Sequence, residues 1–150
     1  MRPNRFRALL NANQPTVGTH LLSTWPTLVE LVGQAGNYDY VEFTAEYSPF
    51  DMHDLDNLGR ALELKDLAGM IKVEQTQWTH QAMRAIGSGF QSVLFADVRT
   101  VEDARACVGF CLTHVDPWSS TRESSCSVPV VTCFPMRRLS LLPAITNVPR

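Results

Sequence analysis

The chain has 150 residues, long enough for one domain with a core of its own. Hydrophobic residues make up 45% and the net charge is −2, which excludes a disordered chain and gives nucleic acid or an anionic membrane nothing to grip. The apolar run after the basic start (Ala8, Leu9, Leu10) is too short for a signal peptide, and no segment reaches the roughly 18 apolar residues that span a bilayer, so a cytoplasmic protein is expected.

Asn4 is placed to cap a short helix through Leu10. After Pro15, the stretch from Thr16 to Leu22 reads as a strand, with Gly18 marking close approach of a backbone or ligand. Ser23 or Thr24 can cap the next helix, which has Pro26 in its first turn and Gly36 as its stop. Tyr38 to Thr44 is a second strand, rich in aromatic and branched residues. A polar loop, Glu46 to Phe50, leads to a helix from Asp51 or Asp54 to about Lys65. Gly69 to Val73 is a third strand. A helix capped by Thr76 follows and ends at Gly87 and Gly89. Gln91 to Ala96 is apolar on both faces, as a buried parallel strand is. Thr100 and Asp103 resemble a capping box for a last helix through Val108.

Strands near residues 18, 41, 71 and 93, each followed by a helix, make an α/β chain with a parallel sheet and right-handed crossovers. In open and closed parallel folds alike, chemistry sits at the strand C-terminal ends. Here those ends lie near Leu22, Ala45 to Tyr47, Val73 to Gln75 and Ala96 to Arg99.

The texture changes after Val108. Five of the nine prolines lie between Pro117 and Pro149, serines cluster from Ser119 to Ser127, and no helical period survives from Gly109 onward. Residues 109–150 are therefore expected to be irregular. Val128 to Phe134 has strand composition, but Pro129 counts against it.

The order of these motifs resembles the HpcH/HpaI aldolase/citrate lyase family, which includes 4-hydroxy-2-oxoheptanedioate aldolases. The resemblance covers residues 5 to 108. It rests on Gly18 in the first strand, Glu46-Tyr47-Ser48-Pro49-Phe50-Asp51 after the second, Met70-Ile71-Lys72-Val73 in the third, and the stretch from Gly89 to Val108. It implies the first half of a (β/α)8 barrel, about four βα units. It also implies carbon–carbon lyase chemistry on a pyruvate-type keto acid and an aldehyde, with a divalent metal, Mg2+ or Mn2+, stabilising developing negative charge.

Three positions depart from the family pattern. Tyr47 stands where the family carries its catalytic His, and a phenol, with an unperturbed pKa near 10, is a poor base at neutral pH. Lys72 stands where the family has an Arg that binds the keto acid; it keeps the charge and loses the two-pronged contact. Gly87 lies near the place of an Asp that supports the His. The family's metal ligands are a Glu and an Asp on later strands; after residue 108 the acids are Asp116 and Glu123, neither in a strand-like run, so no metal ligand is assigned.

Glu46 and Tyr47 are the expected catalytic residues, against a solvated acid and a packing aromatic. Lys72 and His20 are the expected substrate-binding residues. A Lys in an apolar strand is rarely buried without a partner, while a hydrogen-bonded core His competes for His20. His53 and His80 are expected on helix surfaces, and Asp97 and Arg99 as a loop ion pair. Cys107, Cys111, His114, Cys126 and Cys133 lack zinc-site spacing and read as ordinary residues. Gly87-Ser88-Gly89 closes a helix rather than opening one, which is the wrong geometry for a phosphate.

Two function classes follow. One is a lyase with Glu46, Tyr47 and Lys72 in its pocket. The other is a non-catalytic barrel fragment acting as an assembly partner or having no function. A full barrel takes about 250 residues. Four βα units leave open apolar strand edges, so association through them, as a homo-oligomer or with a complementary half, is expected.

Overall fold

In the computed structural model, which describes residues 3–114 and 130–132, five parallel strands lie side by side in chain order. They are β1 (Gly18–Leu21), β2 (Tyr40–Thr44), β3 (Ala68–Val73), β4 (Ser92–Phe95) and β5 (Val130–Thr132). The helices are α1 (Arg5–Asn11), α2 (Pro26–Ala35), α3 (Met52–Leu64), α4 (Trp78–Gly87) and α5 (Val101–His114). An order that never reverses sends every right-handed crossover to the same side of the sheet, as in a barrel wall and unlike a doubly wound sheet.

The period of two along each strand therefore separates two environments. Val41 and Phe43 of β2, Ile71 and Val73 of β3, and Val93 and Phe95 of β4 face the helices. They meet Val29 of α2, Leu55, Leu58 and Leu62 of α3, Ala82 and Ala85 of α4, and Cys107 and Phe110 of α5 in one continuous core. On the opposite face, Ala68, Met70 and Leu94 pack with Phe6 of α1, whose ring lies 4.6 Å from that of Tyr40. Thus α1 closes off the end of that face nearest the strand N-termini. Among the described residues no helix is long and apolar enough to cross a membrane.

The helix boundaries follow local chemistry. The Asn4 side chain accepts the Arg7 N–H and caps α1 as expected. Asp51 caps α3 in a full capping box: its carboxylate accepts the Asp54 N–H, and the Asp54 carboxylate accepts the Asp51 N–H, each at 2.9 Å. Asp51→Ala removes the first of these and is expected to lower the unfolding free energy by about 1 kcal/mol in urea titrations. The Thr100–Asp103 box opens α5, and the backbone N–H groups of Arg99 and Thr100 hold the Asp103 carboxyl below the usual carboxylate range.

Four expectations need correction. The N-cap of α2 is Trp25, not Ser23 or Thr24, because the residue before Pro26 is forced to extended backbone and the helix starts at the proline. Thr76 does not cap α4; residues 75–77 form a 3-10 turn, the Thr76 hydroxyl donates to Glu74 Oε1, and Gln77 is the cap. The last helix does not stop at Val108. Gly109 weakens helix propensity by about 1 kcal/mol, but Phe110 beyond it is buried with its ring 6.5 Å from Phe95, so packing carries α5 to His114. Residues 130–132, in the stretch expected to be irregular, pair in parallel with β4 through Val93↔Val130, Leu94↔Val131 and Phe95↔Thr132. The paired run begins one residue after Pro129 and so needs no N–H from it.

Candidate active site

The register of the sheet places the chemistry. Thr44 pairs with Lys72, so these two residues share one row on the face away from helices α2 to α5. β2 then turns at Ala45 and delivers Glu46 and Tyr47 to the C-terminal ends of the strands, beside Lys72. The Ser48 hydroxyl donates to the Leu22 carbonyl at 3.1 Å and ties this turn to the end of β1.

The Lys72 ammonium lies 2.5 Å from Glu46 Oε2 and 4.8 Å from the centroid of the Tyr47 ring. The Lys72 and Glu46 side chains are 20% and 14% exposed, so this is a largely buried ion pair. The Glu46 oxygen takes the ammonium as a close charge contact rather than as a well-angled hydrogen bond. Burial by itself lowers the Lys72 pKa. The contact and charge of Glu46, followed by Tyr47 and Glu42, outweigh it and raise the pKa above the ordinary lysine value of 10.5. Lys72 is thus a fixed cation at neutral pH, suited to holding an anion and unsuited to acting as a free amine.

One row nearer the strand N-termini, His20 of β1 is in register with Glu42 of β2. Glu42 Oε2 lies 3.3 Å from His20 Nδ1, and Glu42 Oε1 accepts a hydrogen bond from the Thr44 hydroxyl at 3.1 Å. The carboxylate is 8% exposed and the imidazole 75% exposed. On the same face, burial and then the charge of Glu42 hold the Tyr40 phenol above its usual range.

Glu46, Tyr47 and Lys72, singled out from the sequence, therefore stand together. His20 shares their sheet face but sits on Glu42. Sequence reasoning missed Glu42 and Thr44, although the signal was there: in the strand Tyr40-Val41-Glu42-Phe43-Thr44 the polar residues alternate with the apolar ones. His53 and His80 are exposed on helices, and His80 borders an outer groove of about 390 Å³ between the turn after β2 and α4. Arg99 and Asp97 form an exposed ion pair at 3.7 Å. Gly18 does mark a close approach, though of a side chain: a Cβ there would stand 2.2 Å from the Tyr40 ring. Gly87 ends α4 and lies by the strand N-termini, at the other end of the sheet from Glu46. Cys107 is a free, buried thiol, pushed up to about 11 by burial and by Asp103. Cys111, His114, Cys126 and Cys133, weighed with it against a zinc site, lie outside the described side chains.

Among the described residues, no three His, Cys, Asp or Glu side chains converge on one point. Those residues do not by themselves make a metal site, and no chemical step is derived through a metal.

No family model matches the chain. It is 31% identical over 106 residues to a 5-keto-4-deoxy-D-glucarate aldolase of Klebsiella pneumoniae, a match covering 71% of this chain and 41% of that protein. Its fold superposes on the citrate synthase SbnG with a TM-score of 0.70 at 16% identity, over 85% of this chain and 54% of that one. It superposes on an HpcH/HpaI aldolase/citrate lyase family protein of Burkholderia cenocepacia J2315 with a TM-score of 0.65 at 23% identity, over 72% of this chain and 42% of that one. The chain thus spans about half the length of the proteins it matches or less. Sequence and fold together place it in the HpcH/HpaI aldolase/citrate lyase family, with an α/β fold corresponding to part of a TIM-type barrel.

Proposed function

We propose that this chain binds a pyruvate-type keto acid at the C-terminal ends of β2 and β3 and takes part in making or breaking a carbon–carbon bond next to the ketone. The observation that carries this reading is the Lys72 ammonium, held as a cation between Glu46 and the face of Tyr47. An ammonium has three N–H donors. One faces Glu46, and the others are free to meet the carboxylate of an acid entering from the strand ends. Glu46 fixes the position of the cation, and Tyr47, 69% exposed, offers an apolar wall and a hydroxyl at the mouth. Metal dependence of the family kind, with Mg2+ or Mn2+, needs ligands beyond the described residues. The aldehyde partner is left to loops outside this site.

The test is release of pyruvate from 4-hydroxy-2-oxo acids, with and without Mg2+ or Mn2+. Turnover that disappears in Lys72→Met supports the reading; pyruvate that neither binds nor is released defeats it.

A second reading is favoured by one observation: among the described residues, β1 and β5 each have a neighbour on one side only. Unpaired strand edges template further pairing. Association through these edges, with a second copy or with a complementary barrel half, is expected to appear as a mass that rises with concentration in light scattering. A constant monomer mass up to high concentration rules it out.

A further inference from the structure

Among the described residues, six ionisable side chains stand on the inner face of the sheet or beside Lys72: His20 of β1, Tyr40 and Glu42 of β2, Lys72 of β3, and Glu46 and Tyr47 just beyond β2; of the acids just beyond β3 and β4, Glu74 accepts from Thr76 and borders the outer groove, and Asp97 is paired with Arg99. A keto acid that is to form a bond at the carbon next to its ketone must lose a proton there, and a base beside the bound acid has to accept it. We propose that His20, oriented by Glu42, is that base. This deepens the reading above and rests on it.

Elimination and geometry agree. Lys72 is a cation whose pKa is raised, so it has no lone pair to offer. Phenols lose their proton only near pH 10, and burial raises Tyr40 further. Glu46 is engaged by Lys72. Glu42 is buried, with one oxygen on Thr44 and the other on His20. An imidazole has one ring nitrogen that can accept a proton while the other donates. The His20 Nδ1 lies 3.3 Å from the Glu42 carboxylate, which favours the proton on Nδ1 and so directs the Nε2 lone pair away from Glu42. The side chain is 75% exposed, so Nε2 is open to a ligand. His20 and Lys72 are two strands and two residues apart, about 12 Å between Cα atoms from sheet spacings. Two long side chains and a small keto acid fill such a gap.

The step balances. Nε2 takes a proton from the carbon next to the ketone. The C–H electron pair becomes the new C=C bond, and the carbonyl π pair moves to oxygen, giving an enolate. The imidazolium that forms is stabilised by the buried Glu42 carboxylate, and it returns a proton to the same carbon in the reverse step. Glu42 is a positioning residue; it acts only through His20.

The experiment uses the full chain with pyruvate in D2O. Loss of the pyruvate methyl proton signal reads proton exchange, calorimetry reads pyruvate binding, and imidazole 15N shifts read the His20 tautomer. The wild type is expected to bind and exchange, with His20 in the Nδ1–H form. His20→Asn is expected to exchange pyruvate about 100-fold more slowly or worse at saturating pyruvate. Glu42→Gln is expected to slow exchange and mix the tautomers, with binding retained. Pyruvate bound normally but exchanged no faster than in buffer by the wild type, or exchanged equally fast by His20→Asn, overturns the proposal and leaves the keto-acid reading standing. Absence of pyruvate binding in the wild type overturns both.

Discussion

Lys72→Met is expected to weaken pyruvate binding by about 10- to 100-fold in calorimetry, while Lys72→Arg retains most of it. Charge-assisted hydrogen bonds contribute about 1.5–3 kcal/mol each, and 1.4 kcal/mol is a factor of ten. Methionine keeps the length of the stem and loses only the cation. The same substitution leaves the buried Glu46 oxygen without its partner, at a cost of about 1–3 kcal/mol of stability. The pH dependence of that cost is fixed in sign. The folded-state pKa of Lys72 lies above 10.5, so the folded protein holds the proton more tightly than the unfolded chain does. The stabilisation is complete below pH 10.5 and is lost as the pH rises through the raised value. The gap in urea midpoint between wild type and Lys72→Met should therefore be constant from pH 7 to 9 and shrink above pH 10.5. A gap that closes at neutral pH contradicts the ion pair.

Gly59→Ala is expected to destabilise the fold by about 2 kcal/mol, the net of two opposing effects. Helix propensity favours alanine in the middle of α3 by about 1 kcal/mol. Against it, a Cβ at Gly59 would stand 1.7 Å from the Ser88 carbonyl oxygen and 2.8 Å from the carbonyl carbon. That carbonyl cannot swing away freely. Ser88 N–H donates to Arg84 O, Phe90 N–H to Ala85 O and Gln91 N–H to Gly69 O, while the Ser88 hydroxyl donates to Asp56 at 2.6 Å. Overpacking against a braced backbone costs about 3 kcal/mol, at the upper end of the usual range. Gly87→Ala is the control. A Cβ there meets nothing within 4 Å, so only propensity acts and the variant should gain up to about 1 kcal/mol. Urea unfolding of the pair reads both signs, and two shifts in the same direction would refute the packing contact.

The elements with strong local signals were legible in the sequence. The Asn4, Asp51 and Thr100–Asp103 caps, Pro26 in the first turn of α2 and the apolar and branched character of four strands all act through neighbours a few residues away. Where a helix ended by long-range packing, local reading failed. No helical period survives from Gly109 onward, yet Phe110 finds Phe95 across the core. Val128 to Phe134 had strand composition weakened by Pro129, and β4 offers Val130 to Thr132 an edge to pair with.

The candidate site divides along the same line. The sequence by itself determined the alternation of strands and helices, the family resemblance, and the chemical types of Glu46, Tyr47 and Lys72, because these are properties of short segments. Only the tertiary structure decided that Lys72 is paired with Glu46, that Tyr47 lies over it, and that His20 belongs with Glu42. Those pairings depend on which residues fall in the same row of a parallel sheet, a register set by side-chain packing between strands some twenty to thirty residues apart.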